Sequence, residues 1–125
     1  MASSYEYIEP IEIELKRADS CMVVQWNDGH VGRNTFLTLR WNCPCAGCAG
    51  EMGSKGRLDI VQELKADEYV LESLAPIGLY ALRPVWKDGH DTGLYTYDWL
   101  RALCECDKCM AENPGKFQKR RLLRG

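Results

Sequence analysis

Isoleucine, leucine and glutamate alternate through IEIEL, Ile11 to Leu15, with the period of two that marks a half-buried strand and leaves Glu12 and Glu14 on one solvated face. CMVVQW (Cys21 to Trp26) and LYALRPVW (Leu79 to Trp86) are rich in β-branched, aromatic and large apolar residues, and they also predict strands. Each runs into W-x-D-G-H, with an Asp-Gly placed for a two-residue type I′ hairpin, whose two central residues both need positive φ. That register sets Trp26 opposite Val31 and Asn27 opposite His30, and likewise Trp86 opposite Asp91 and Lys87 opposite His90. Each histidine then stands at a hairpin mouth, on the face away from its tryptophan. Leu58, Val61 and Leu64 recur at three-residue spacing and predict a short amphipathic helix within Arg57–Asp67. TYDWLRALC predicts a second helix, capped by Thr96, with Trp99, Leu100 and Leu103 on one side and an end near Cys104. The glycines of AGEMGSKG, Ala49 to Gly56, predict a loop. The class is α+β: a small, mostly antiparallel sheet built from two related hairpins, with short helices and cysteine-rich loops.

The two halves of the chain repeat one another. WNDGH (Trp26 to His30) and WKDGH (Trp86 to His90) are each followed, after eight or nine residues, by L-R-x-x-C-x-C-x-x-C. The cysteines are Cys43, Cys45 and Cys48 in the first half and Cys104, Cys106 and Cys109 in the second. Nine positions agreeing in order, with one residue of slippage, point to a duplicated unit.

Composition bounds what such a chain does. At 125 residues it is one domain, large enough to fold on its own core. We assign the domain to residues 1–114 and a basic tail to 115–125. The tail carries Lys116, Lys119, Arg120, Arg121 and Arg124 with no acid, so a net charge of −2 leaves −7 on the body. An acidic body with five cations at one end does not read as a nucleic-acid binder. The apolar run Leu74 to Leu82 is broken by Pro76 and Gly78, too short to span a membrane. The N-terminus lacks the basic and apolar regions of a secretory signal, which makes the expected compartment the cytoplasm, where clustered thiols bind metal or do redox chemistry.

In C-x-C-x-x-C the three side chains point about 0°, 200° and 140° around a helix, so no regular element gathers them and the backbone must fold around a ligand. Pro44 biases Cys43 away from helix and Gly47 loosens the backbone, as a chelating loop requires. Three thiolates are one short of a closed tetrahedral zinc site. Histidine is the fourth donor at hand, and the chain has two, one per hairpin. Spacing leaves open which histidine serves which triplet. A Cys3His site holding Zn²⁺ carries a formal charge of −1, which Arg40 or Arg101, three residues before each triplet, would offset. An iron–sulfur cluster is the alternative cofactor. Cys21, in an apolar strand, is a core cysteine, and the four tryptophans are core around the metal sites.

WNDGH, LRWNCPCAGC and GLYALRPVWKDGHDTGLYTYDWLRALC together resemble the N-terminal domain of the gamma-butyrobetaine hydroxylase family, over Ile11 to Cys104. That domain also occurs as a stand-alone small protein of the DUF971 type and as an appendage of some P-loop iron–sulfur scaffold proteins. The resemblance implies a non-catalytic zinc module whose ligands fall on Cys43, Cys45, Cys48 and His90. It does not extend to the oxygenase domain, whose iron triad needs two histidines and a carboxylate. We therefore expect no enzyme, but a structural or interaction module with protein partners, a second copy of itself included. An iron–sulfur assembly or carrier accessory is the rival function. The second triplet, Cys104, Cys106 and Cys109, is not a fixed part of the family pattern; the internal repeat would give it His30.

Overall fold

The same order of elements occurs twice along the chain. In the computed structural model, which describes residues 8–50 and 53–113, the first half runs β1 (Pro10–Lys16), β2 (Cys21–Trp26), β3 (Val31–Thr35), α1 (Phe36–Trp41) and α2 (Ala46–Ala49). The second runs β4 (Leu71–Ile77), β5 (Ala81–Trp86), β6 (Tyr95–Thr96), α3 (Tyr97–Ala102) and α4 (Asp107–Glu112). The fold is α+β, and its strands divide into two antiparallel three-stranded sheets ordered β1-β2-β3 and β4-β5-β6. The basic tail lies outside the described residues. Among the described residues, no helix is long and apolar enough to cross a membrane.

The hairpin turns differ from the type I′ geometry. Gly29 and Gly89 take φ of +91° and +94°, but neither aspartate has positive φ. The amides of Gly29 and Gly89 donate to the carbonyls of Trp26 and Trp86, and the tryptophan amides donate to the carbonyls of His30 and His90. This is a three-residue loop with one left-handed position, which glycine fills at no steric cost and aspartate does not have to. The register moves by one, so Gln25 rather than Trp26 pairs with Val31. Trp26 and His30 then share a face: a Cβ built on Gly32 would stand 3.2 Å from the indole Nε1 of Trp26 and 3.5 Å from His30 Cδ2. In the second half the chain beyond His90 is not strand until β6, so Trp86 and Asp91 do not pair either.

Each first strand carries an irregularity beside the hairpin tryptophan of its sheet. Pairing slips between Pro10 and Glu12 in β1 and between Leu71 and Ser73 in β4, where Pro10 and Leu71 face Trp26 and Trp86. The slip turns Ile11 outward, 68% exposed, against the strict alternation of the sequence, while Ile13 and Leu15 stay on the core side. The helix expected within Arg57–Asp67 is replaced by two 3-10 turns, Arg57–Asp59 and Ala66–Tyr69. Three-residue spacing suits 3-10 geometry as well as α, and Leu58 is still buried, with Val61 and Leu64 packed against the core.

α1 and α3 begin alike. Thr35 Oγ1 accepts from the amide of Thr38, and Thr96 Oγ1 from that of Trp99. α3 ends at Ala102, freeing Cys104 to turn inward, and Leu100 and Leu103 are fully buried while Trp99 is half-buried. One core joins the halves: Met22, Val24, Trp26 and Leu39 pack with Leu71, Trp86, Tyr95 and Leu100. Cys21 is buried in β2.

Two buried polar side chains bridge the halves reciprocally. Tyr95, two residues before α3, donates its hydroxyl to the carbonyl of Leu39, and Asn34, two residues before α1, donates its amide to the carbonyl of Leu100 at 3.4 Å.

Candidate metal centres

α1 ends at Asn42, and the chain turns through Cys43, Pro44 and Cys45 into the single turn of α2, which carries Cys48. The three sulfurs surround the histidine of the opposite half. Sγ of Cys43, Cys45 and Cys48 lies 3.3, 3.6 and 3.6 Å from Nε2 of His90. Cys43 and Cys48 are buried, Cys45 and His90 half-buried.

The second triplet does the same with the first hairpin. Cys104 follows the cap of α3, Cys106 is the N-cap of α4, and Cys109 lies in its first turns. Their sulfurs stand 3.5, 3.7 and 3.5 Å from Nε2 of His30. Amides of Cys106 and Cys109 point at the sulfurs of Cys104 and Cys106, at 3.4 and 3.5 Å.

The residues fit a single tetrahedral ion. Zinc with Zn–S near 2.3 Å and Zn–N near 2.0 Å separates sulfur from nitrogen by about 3.5 Å. All six nitrogen–sulfur distances bracket that value, and in each set the four donor atoms lie within 4.8 Å of one another.

The histidines are held by a device that sequence reasoning overlooked. Oδ1 of Asp88 accepts the amide of His90 at 3.1 Å, and the same carboxylate takes Arg40 of the opposite half in a bidentate pair at 3.1 Å on both arms. Asp28 repeats this with the amide of His30 at 3.2 Å and with Arg101 at 2.9 and 3.3 Å. The guanidinium carbons of Arg40 and Arg101 lie 5.8 Å and 5.4 Å from the ring centroids of Trp86 and Trp26. The arginines thus hydrogen-bond the aspartates rather than the thiolates. The signal was present in the sequence, since Trp, Asp and Arg repeat along with the cysteines.

The two centres are not equally enclosed. Arg40 is buried and also donates to the carbonyl of Glu68 at 2.7 Å, while the Glu68 carboxylate holds Arg57 and the amide of Lys65. Behind α2 the chain crosses itself, and a Cβ on Gly56 would come within 2.3 Å of the carbonyl of Cys48. An open cleft of about 1210 Å³ borders Cys45, Cys48 and His90 from the side of Lys65 and Thr92. At the second centre Glu105 carries the anchorage: its amide donates to the carbonyl of Arg33, and its carboxylate accepts from the amide of Thr35 at 2.6 Å and from Thr38 Oγ1 at 2.9 Å.

Protonation shows how these sulfurs share charge. In the first centre the hydrogen bond from Cys43 holds Cys48 down to about 5, while that bond and burial push Cys43 up. In the second, burial and the bonds to Cys106 and Cys104 push Cys109 up to about 12. Burial raises Cys106 too, but the amide of Cys109 and the neighbouring thiols outweigh it, and Cys106 ends below the ordinary value. His30 is lowered chiefly by burial, favouring the neutral imidazole that ligates metal. Asp28 is lowered by Arg101; at Asp88 burial is outweighed by Arg40 and the amide of His90.

A family model described as "Gamma-butyrobetaine hydroxylase-like, N-terminal" matches residues 13–101. No curated protein matches the chain. Among solved structures, a crystal structure of a protein of unknown function in the DUF971 family, from Acidithiobacillus ferrooxidans ATCC 23270, is 34% identical and covers 74% of this chain and 88% of its own, with a TM-score of 0.55. A chain solved by NMR in solution aligns over 99% of this chain and 93% of its own, with a TM-score of 0.63. At 24% identity it speaks for the fold alone.

Proposed function

The chain belongs to the gamma-butyrobetaine hydroxylase-like N-terminal family, and from that premise we propose that it is a non-catalytic zinc module whose metal staples its two halves into one rigid body for contact with another protein. The observation that carries this is the first centre: three sulfurs from one half and His90 from the other, at nitrogen–sulfur distances of 3.3–3.6 Å. Four protein donors complete a tetrahedral shell and leave no position for a substrate or an activated water. Both histidines of the chain stand in cysteine clusters, which leaves none for the two-histidine iron triad of an oxygenase. A two-iron cluster divides its ligands between two metals, whereas four donors mutually within 4.8 Å suit one ion.

Anaerobic metal and acid-labile sulfide analysis, coupled to melting curves, tests this. Zinc without sulfide is expected, and Cys45→Ser or His90→Ala should lower zinc content and melting temperature together. Iron with matching sulfide would replace the module by a cluster accessory, and a variant that loses zinc yet melts like the parent would remove the staple. Light scattering distinguishes a second copy from a different partner protein.

A further inference from the structure

We propose that Cys104, Cys106, Cys109 and His30 form a second zinc site that loads and empties independently of the first and exchanges its ion faster, ordering α4 when filled. The site rests on its own donors; the comparison of exchange rests on the first centre being structural zinc.

The donor set is complete without any residue of the first centre. Its nitrogen–sulfur distances, 3.5, 3.7 and 3.5 Å, satisfy the same tetrahedral shell. Its histidine is locked from behind by Asp28 and Arg101, as His90 is by Asp88 and Arg40. A chain that merely tolerated a leftover cysteine triplet would have no reason to repeat the aspartate, the arginine and the tryptophan beneath it.

Exchange follows from what surrounds each set of sulfurs. Zinc leaves a thiolate site when an incoming ligand reaches a sulfur that can swing away. In the first centre an open cleft reaches Cys45, but two of the three cysteines are buried and α2 is backed by the crossing of Gly50 and Gly56. In the second only Cys104 is buried. α4 supplies or caps two of the three sulfurs, yet none of its residues is buried. Glu105 anchors the chain up to the helix, and beyond it the described hydrogen bonds of α4 and its cap to the body run through Cys106 and Cys109. Removing the ion frees a six-residue helix that has no fully buried residue of its own to hold it.

The test uses the full chain loaded with zinc and challenged with excess chromophoric chelator, alongside hydrogen exchange over residues 104–112. Two zinc ions per chain are expected, released in two phases of equal amplitude, with protection of α4 lost during the fast phase. Cys109→Ser should delete the fast phase and spare the slow one, and Cys45→Ser the reverse. His30→Ala should match Cys109→Ser; because Cys109 lies on a helix without buried residues, its variant separates metal loss from misfolding. Asp28→Asn should weaken the fast site about 10- to 100-fold in chelator competition. One zinc per chain, lost in Cys45→Ser and kept in Cys109→Ser, would overturn the proposal and leave the module standing. One zinc lost only in Cys109→Ser would keep the second site but overturn both the stapling role of the first and the two-ion proposal. Two ions leaving in one phase, or a fast phase that vanishes in Cys45→Ser, would overturn independent exchange.

Discussion

Asp28 and Asp88 each hold a histidine amide and a guanidinium from the other half, so one carboxylate couples a candidate metal ligand to an interface. Arg40 makes the difference between them, because it is buried whereas Arg101 is partly exposed. Asp88→Ala removes the charge partner of a buried guanidinium, leaving it the carbonyl of Glu68, and should cost about 3 kcal/mol of stability, measured by urea unfolding. Asp28→Ala should cost markedly less, and equal losses would contradict the asymmetry. Two glycines act at the same scale. A methyl on Gly93 would stand 2.7 Å from Cys43 Sγ, closer than real contacts allow, and one on Gly32 3.1 Å from Cys104 Sγ. Gly93→Ala is therefore expected to abolish the zinc binding proposed for the first centre, as read by elemental analysis, with Gly32→Ala disturbing the second centre less.

At the scale of elements, Glu105 joins the second triplet to the start of α1, where its carboxylate takes the amide of Thr35 and the hydroxyl of Thr38. Glu105→Ala leaves that amide without its partner, and a loss of about 1–3 kcal/mol is expected in denaturant unfolding. This contact was invisible in the sequence, since nothing in C-E-C says which strand the glutamate meets. β2 and α3 were legible because local chemistry set them: an apolar run into a turn for one, a threonine cap and a buried stripe for the other. β4 was missed because Glu72 and Pro76 break the pattern of a strand that gains its pairing from β5. The hairpin register failed by one residue because Asp-Gly serves two loop lengths, and only the φ of the aspartate tells them apart. The donor types were legible from spacing, but the crossed pairing of hairpin and triplet was suggested by family resemblance and by the repeat, and became concrete only in three dimensions.

For the whole molecule, the crossed pairings mean that neither half is complete alone. Each lends its histidine, its aspartate and a carbonyl to the other, across one shared core. Stripping the two proposed ions by chelation should therefore lower the melting temperature of the two sheets together, in one transition by circular dichroism and tryptophan fluorescence. Two separated transitions would show halves that fold independently.

The distance along the chain between partners sets a timetable for synthesis. Cys48 and His90 are 42 residues apart, and His30 waits 79 residues for Cys109. At about 5–20 residues per second, roughly 2–8 seconds of synthesis separate Cys48 from His90, the donor that completes its set. When His90 is added, the first set of donors is complete in the chain while the second still lacks Cys104, Cys106 and Cys109, so the two sets become available in a fixed order.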